Sequence, residues 1–157
     1  MPLPATVESK PGALRIEPSF SYALHGNSGS RLSNAAVRLI SRIEMRTGVT
    51  LAKIPAGQGS EATLTIDVAT ASSDTVPQPA EDESYTLDVD QAHVALHAKT
   101  DIGALRGMET LLQLIQPAGA SYFFPAIHIQ DAPRFPWRGL MLDCGRHFLP
   151  VANILRT

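Results

Sequence analysis

The stretch Tyr85-Thr-Leu-Asp-Val-Asp-Gln-Ala-His-Val-Ala-Leu-His-Ala98 decides the fold, because it holds two short alternating runs side by side. Apolar residues occupy every second position from Tyr85 to Val89 and again from Val94 to Ala98. The turn between the two runs lacks the preferred Asn-Gly pair, but its length suits a hairpin. The pattern therefore predicts two antiparallel strands, each with one buried face.

A helix is predicted directly after the hairpin. Residues 102–115 repeat apolar side chains at helical spacing, and Thr100, or the aspartate after it, can cap the first turn. Pro117 prevents the helix from continuing. Gly103 and Gly107 lack the accompanying Lys-Ser or Lys-Thr of a phosphate-binding loop. We predict instead that these glycines let the helix approach the sheet closely.

Further elements precede the hairpin. A turn-forming cluster at residues 27–30 leads into a helical repeat that stops at Gly48, which predicts a first helix. Residues 63–68 alternate cleanly and predict a half-buried strand. The apolar residues between positions 14 and 24 share one parity, which predicts an edge strand bent by Pro18.

These elements define a domain organisation. Residues 1–12 have no sustained period and are predicted to form a flexible leader. Residues 13–131 are predicted to form a small α+β domain, in which two helices pack on one face of a mostly antiparallel sheet. This domain includes a solvated loop at 69–83 and a short strand at 126–129. Residues 132–157 form a separate, C-terminal segment.

The C-terminal segment is predicted to be an unfinished structure. Residues 139–142 are too apolar for an exposed tail and are typical of a strand covered on both faces. Residues 150–156 resemble the first turns of a helix. Because an unpaired apolar strand seeks partners, we expect the chain after Pro136 to be disordered, refolded onto the small domain or paired with a second copy.

Composition excludes several classes of function. The 157 residues contain 13 Lys and Arg against 15 Asp and Glu, a net charge of −2, so nucleic-acid binding is not expected. No apolar run reaches the ~18 residues of a membrane span, and the first residues do not resemble a signal peptide. The single cysteine, Cys144, precludes an internal disulfide and is predicted to be buried and unreactive.

Residues that suggest other chemistry have ordinary explanations. His93 and His97 are four positions apart but lack the intervening glutamate of the His-Glu-x-x-His signature, so no metal site is predicted. Trp137 is predicted to pack in a joint between domains rather than to stack on a sugar. The remaining candidates are acidic pairs expected on a solvated loop or an outer strand face: Asp82 with Glu83, and Asp88 with Asp90.

The run Asp131-Ala-Pro-Arg-Phe-Pro-Trp-Arg-Gly-Leu-Met-Leu-Asp-Cys-Gly-Arg-His-Phe-Leu-Pro150 resembles the entry into the catalytic barrel of glycoside hydrolase family 20, the β-N-acetylhexosaminidases. The runs Glu83-Ser-Tyr-Thr-Leu87 and Gly103-Ala-Leu-Arg-Gly-Met-Glu-Thr-Leu-Leu-Gln-Leu114 are similar to the smaller domain that precedes that barrel. The resemblance implies that residues 132–157 are the joint and the first strand and helix start of a truncated (β/α)8 barrel.

The resemblance also implies an activity. Family members remove terminal N-acetylglucosamine or N-acetylgalactosamine by a substrate-assisted retaining mechanism, without a cofactor or metal. It further suggests an extracytoplasmic protein, periplasmic or secreted. The family's catalytic Asp-Glu pair lies far C-terminal of this run, and nothing in the 157 residues corresponds to it. The chain alone is therefore expected to contain no catalytic residue, to be inactive, and to require the catalytic barrel in cis.

One residue is predicted, from the resemblance, to touch substrate. Arg138 is expected to bind hydroxyls of the nonreducing sugar, since a guanidinium can donate to two vicinal hydroxyls at once. The alternative is a structural arginine that pairs with Asp143 or with a backbone carbonyl at the joint. Asp143, Arg146 and His147 are predicted to support the pocket.

A competing interpretation comes from a different class of protein. The chain could be a self-contained, non-catalytic carbohydrate-associated or scaffold module whose C-terminal segment belongs to its own interface. The reading frame beyond Thr157 discriminates the two, because the enzyme requires a further barrel with an Asp-Glu pair.

Overall fold

A computed structural model of the chain describes residues 3–26, 29–53, 55, 61–70, 76–146 and 148–154. The elements in chain order are β1 (Thr6–Arg15), β2 (Tyr22–Gly26), α1 (Ser30–Thr47), β3 (Leu64–Thr70), β4 (Tyr85–Val89), β5 (Val94–Thr100), α2 (Asp101–Gln113), β6 (Gln116–Ala118), β7 (Ser121–Asp131) and α3 (Val151–Ile154). None of the described helices is long and apolar enough to cross a membrane.

The strands form one seven-stranded sheet in the order β1-β7-β4-β5-β3-β2, with β6 added beside β7. The pairs β1–β7, β7–β4, β4–β5 and β6–β7 are antiparallel, whereas β5–β3 and β3–β2 are parallel. The fold is α+β with a mostly antiparallel sheet, as predicted. In chain order, α1 lies between the parallel strands β2 and β3, and β4 lies between the parallel strands β3 and β5.

The predicted hairpin is confirmed in register and in burial. Leu87 lies opposite Leu96 and Val89 opposite Val94, and all four side chains are fully buried. The carboxylate of Asp90 accepts hydrogen bonds from the backbone N–H groups of Ala92 and His93, each at 2.7 Å. This side-chain-stabilised turn supplies what an Asn-Gly pair would otherwise provide.

Both helices contribute their buried residues to the core that covers one face of the sheet. Helix α1 is capped at its C-terminus by Gly48, which adopts φ 70° and donates its backbone N–H to the Glu44 carbonyl at 2.7 Å. Helix α2 is capped at its N-terminus by Thr100, whose hydroxyl accepts from the Gly103 N–H at 3.1 Å. Residues 27 and 28 of the predicted turn before α1 lie outside the described residues.

The two glycines of α2 do permit close packing, as predicted. A Cβ at Gly107 would lie 2.2 Å from the Leu96 side chain, and a Cβ at Gly103 would lie 2.4 Å from the Ser84 carbonyl oxygen. Because β-carbons cannot approach other atoms so closely, α2 can pack at this distance only because positions 103 and 107 carry no side chain.

The flexible leader predicted for residues 1–12 is wrong from Thr6 onward. Strand β1 pairs with β7 from Thr6 to Arg15, with a shift in register between Ser9 and Ala13. Only Leu14 of this strand is buried, so its first residues carry no apolar period, and backbone hydrogen bonding alone defines them. The backbone N–H of Ala5 also donates to the Asp131 carboxylate at 3.0 Å, which joins the start of the domain to its end.

The single bent strand predicted between positions 14 and 24 is two strands. Strand β1 ends at Arg15 and β2 begins at Tyr22, and they lie at opposite edges of the sheet. Pro18 lies in the connecting turn. The short strand predicted at 126–129 is the middle of the 11-residue β7. In the predicted loop 69–83, residues 69–70 belong to β3, residues 76–83 carry no helix or strand, and 71–75 lie outside the described residues.

The strand predicted at residues 139–142 is absent from the described part of the C-terminal segment. A strand is defined by hydrogen bonds to a neighbouring strand, and no described strand pairs with these residues. The helix start predicted at 150–156 is present as α3, although its last two positions are not described. The segment's most exposed large apolar side chains are Trp137 (81%), Leu140 (81%), Met141 (91%) and Phe148 (82%).

Candidate functional site

Arg138, the residue predicted to contact sugar, lies where the C-terminal segment meets the small domain. Its guanidinium pairs with the carboxylate of Glu83 and donates to the carbonyl oxygen of Phe135. The same Glu83 oxygen accepts from Nε of Arg106 on α2 at 2.6 Å. We call these residues, Glu83, Arg106 and Arg138, the arginine joint. The predicted structural alternative, a bond to a backbone carbonyl, is therefore present, whereas the substrate role stays a prediction.

The carboxylate at the centre of the arginine joint is held in its ionised form. Only 13% of the Glu83 side chain is exposed. Burial by itself raises the pKa of Glu83, but hydrogen bonds and charges from Arg106 and Arg138 lower the pKa below its ordinary value. Two fixed cations thus outweigh the desolvation of one anion.

Glu83 is positioned by short contacts on either side. The Asp82 carboxylate accepts from the backbone N–H of Ser84 at 2.9 Å and from its hydroxyl at 2.5 Å. These bonds, together with Lys99, lower the pKa of Asp82 to about 2. The Thr100 hydroxyl donates to the Asp82 carbonyl at 2.6 Å, which ties the loop to the start of α2.

A shallow groove of about 330 Å³ lies next to the arginine joint. Pro77, Pro79 and Trp137 line it together with the charged residues of the joint. Trp137 is predicted to be packed, but the residue is 81% exposed. The groove is an open surface and not an enclosed catalytic pocket.

The residues predicted to support a pocket lie farther along the same segment. Asp143 accepts from the backbone N–H of Gly145 at 2.9 Å and pairs with Arg146 at 3.3 Å. The side chain of Arg146 is 88% exposed. His147 lies outside the described residues. The structure thus brings Asp143 and Arg146 together, separately from the arginine joint. Cys144, predicted to be buried, is exposed.

The remaining polar candidates lie on the sheet face opposite the helices. His93 contacts the Thr65 hydroxyl at 3.2 Å, and His97 lies 3.7 Å from the Asp67 carboxylate. The Asp88 carboxylate contacts Lys10 at 2.9 Å and His128 at 2.7 Å. Partial burial raises the pKa of Asp88, but these two partners lower it overall. His93 and His97 thus make separate contacts, whereas Asp88 joins Lys10 and His128.

The arginine joint could not be recognised from the sequence. Glu83 and Arg138 are separated by 55 positions, and Glu83 was predicted to lie free on a solvated loop. The local signals were the Asp82–Ser84 turn, which fixes Glu83, and the stiff Pro-Arg-Phe-Pro run before Arg138. Neither signal indicates which charged residues form an ion pair.

Comparison with known proteins divides the chain at the boundary between the small domain and the C-terminal segment. Residues 1–132 match the model of glycosyl hydrolase family 20, domain 2, and residues 135–157 match that of the family 20 catalytic domain. The chain therefore belongs to glycoside hydrolase family 20. It corresponds to domain 2 together with the first residues of the catalytic domain.

Individual relatives agree with this assignment. A beta-hexosaminidase from Vibrio furnissii is 47% identical over 73 residues, which are 46% of this chain and 12% of that protein. The beta-hexosaminidase subunit A1 of Dictyostelium discoideum is 33% identical over 147 residues, 92% of this chain and 25% of that protein. This chain thus spans a quarter or less of these two relatives.

Solved structures show the same fold. A Flavobacterium johnsoniae chitobiase superposes with a TM-score of 0.87 and 38% identity, covering 97% of this chain and 23% of that chain. The Streptomyces plicatus N-acetyl-beta-hexosaminidase superposes with a TM-score of 0.76 and 26% identity, covering 98% of this chain and 30% of that chain.

Proposed function

We propose that this chain is the N-terminal part of an enzyme that hydrolyses terminal N-acetylhexosamine residues. The observation that carries the proposal is the pair of consecutive family matches, because the catalytic-domain match begins three positions after domain 2 ends. The named relatives are hexosaminidases, an N-acetyl-beta-hexosaminidase and a chitobiase. N-acetylglucosamine- or N-acetylgalactosamine-terminated oligosaccharides are the proposed substrates.

The proposed reaction is substrate-assisted. The 2-acetamido oxygen of the sugar attacks its own anomeric carbon, and a protonated glutamic acid donates a proton to the leaving oxygen. A general acid of this kind needs a pKa raised toward the working pH.

We propose that residues 1–157 alone are inactive. The carboxyl groups with a clearly shifted pKa in the described residues are Glu44, Asp82, Glu83, Asp88 and Asp90, and each pKa is lowered. A carboxyl group with a lowered pKa is ionised near neutral pH and cannot donate the proton. The missing acid belongs to the catalytic barrel, which the proposal places in cis.

The contacts of the two arginines favour different roles for them. In a (β/α)8 barrel the active site lies at the C-terminal ends of the strands. Arg138 precedes the predicted strand at 139–142 and is already bonded to Glu83. Arg146 follows that strand, with its guanidinium largely exposed. We therefore favour Arg146 as the sugar-binding arginine, supported by Asp143, and a structural role for Arg138.

The test compares the complete reading frame containing these residues with residues 1–157 alone. Both are assayed with aryl N-acetyl-β-glucosaminide and aryl N-acetyl-β-galactosaminide. We expect release of the aryl group by the long form and none by the short form. Hydrolysis by the short form would refute the missing-acid proposal. An inactive but folded long form would refute the enzyme proposal and favour the scaffold module.

A further inference from the structure

The arginine joint connects a rigid part of the small domain to the first residues of the catalytic segment. We propose that Glu83 is a positioning residue for the reaction: by holding Arg138, it fixes the start of the strand region 139–142 and thereby the position of Asp143 and Arg146 at its other end. This inference rests on the proposed hexosaminidase function. It assigns to the small domain a direct part in setting the geometry of the active site.

Glu83 is suited to this role because its backbone is fixed on both sides. The Asp82–Ser84 turn precedes β4, and the Thr100 hydroxyl holds the Asp82 carbonyl at 2.6 Å. The Ser84 carbonyl lies so close to Gly103 of α2 that a Cβ there would be 2.4 Å away. The loop therefore moves with the helix and the sheet.

The carboxylate is also fixed in orientation. Arg106 comes from the middle of α2 and contacts the Glu83 oxygen at 2.6 Å, which leaves the same oxygen directed at Arg138. With 13% of the side chain exposed, Glu83 is not free to exchange these partners for water. Loss of one partner from such a partly buried pair leaves an uncompensated charge.

In the proposed full-length enzyme, residues 139–142 would form the first barrel strand and transmit this position to the site. An extended chain rises about 3.3 Å per residue, so the five residues from Arg138 to Asp143 span roughly 17 Å. A displacement at the Arg138 end therefore moves the residues that follow the strand. A misplacement of about 1 Å at a reacting centre can cost on the order of 10²-fold in rate.

The kinetic test uses the full-length protein with Glu83→Gln, Arg138→Gln and the double variant. Glu17→Gln is the control, since Glu17 is also a glutamate ion-paired to an arginine, Arg15. Arg15 pairs with the start of β7, whereas Tyr85, next to the joint, pairs with its end. If Glu83 positions the strand, each single variant lowers kcat by about tenfold or more with KM within threefold. The double variant is then no slower than Arg138→Gln, because both changes break the same contact. The control retains wild-type kinetics.

Two results would overturn the inference. One is a raised KM for Arg138→Gln with wild-type constants for Glu83→Gln, which would mean that Arg138 contacts the sugar directly. The other is additive loss in the double variant, which would mean that the two residues act independently.

Hydrogen exchange separates this inference from the proposed function. In Glu83→Gln, amides of residues 134–143 should exchange at least about fivefold faster than in the wild-type full-length protein, whereas Glu17→Gln should leave them unchanged. This measurement does not depend on activity. Faster exchange in a protein without hexosaminidase activity would refute the proposed function alone, and unchanged exchange in an active enzyme would refute the positioning role alone.

Discussion

Gly107 of α2 rests against Leu96 of β5 so closely that a β-carbon at position 107 would come within 2.2 Å of a Leu96 methyl group. Leu96 is fully buried, and the Tyr85 ring lies 3.1 Å from the same point. The distance between helix and sheet is therefore set by the absence of a side chain at one position.

Gly107→Ala should destabilise the domain although alanine favours helices. Overpacking of a filled core costs about 1–3 kcal/mol, whereas the gain in helix propensity is at most about 1 kcal/mol. We expect a net loss of up to about 2 kcal/mol in the free energy of unfolding, measured by urea denaturation. Gln113→Ala, on the exposed face of the same helix, is the control and should be neutral or slightly stabilising. A stabilised Gly107→Ala variant would contradict the packing described for Leu96.

Thr100→Ala should remove two hydrogen bonds at once. The hydroxyl caps α2 through the Gly103 N–H and also donates to the Asp82 carbonyl. Loss of an N-cap side chain costs about 1 kcal/mol, within a range of about 0.5–2, and loss of the second bond should place the variant in the upper part of that range. Thr100→Ser keeps the hydroxyl and should recover most of the lost stability. Equal unfolding midpoints for the alanine and serine variants would contradict the capping role.

Asp82 should make stability depend on acid pH. The pKa of Asp82 is lowered to about 2 in the folded protein, against about 3.9 for an unperturbed aspartate. The ionised form therefore stabilises the fold above pH ~4, and this contribution is lost as the pH falls toward ~2. Asp82→Asn should destabilise at pH 6 and differ less from wild type near pH 2.5. Ser84→Ala should raise the pKa of Asp82, measured by carboxyl NMR titration; an unchanged pKa would show that the Ser84 hydroxyl bond is not a cause.

The short form should self-associate through its C-terminal segment. Trp137, Leu140, Met141 and Phe148 are each more than four-fifths exposed, and apolar surface of this kind favours association. Sedimentation velocity of residues 1–157 should show a mass that increases with concentration. A Leu140→Ser/Met141→Ser variant should stay monomeric over the same range. If both proteins are monomeric at high concentration, the exposed segment does not drive association.

We expect Arg146→Ala to lower the kcat/KM of the full-length protein more than the substitution of any other exposed arginine in residues 1–157. A charged hydrogen bond contributes about 1.5–3 kcal/mol, which corresponds to a loss of about 10–100-fold in kcat/KM. Arg15→Ala is the control, because Arg15 lies on the edge strand β1 and is likewise exposed. A wild-type kcat/KM for Arg146→Ala would show that Arg146 does not bind the sugar.

The parts of the fold that were predictable are those with a buried face. The hairpin at 85–98 and the two helices follow the apolar periods of the sequence, since every second or every third to fourth residue enters the core. Strand β1 has only Leu14 in the core, so its hydrogen bonds to β7 leave no pattern in its first residues. Edge strands are defined by their neighbours, and neighbours distant in sequence are not visible in a local window.

The candidate site was less predictable for a related reason. The family motif located the segment that contains Arg138, Asp143 and Arg146 but not the partner of each residue. The guanidinium of Arg138 is bonded to Glu83 because the Asp82–Ser84 turn and α2 bring the carboxylate to that place. Which arginine remains exposed depends on this tertiary contact, and no spacing in the sequence encodes it.

The hydrogen bond between the Ala5 backbone and Asp131 has a practical consequence for protein engineering. Because β1 and β7, the first and last strands of the domain, are neighbours, a tag or an extra module fused ahead of Leu3 emerges close to the linker that leads into residues 135–157. Affinity handles or reporter dyes attached there would sit beside that linker and sense its motion. Groups that should not respond to the linker are better attached at the far edge of the sheet, near His25 of β2.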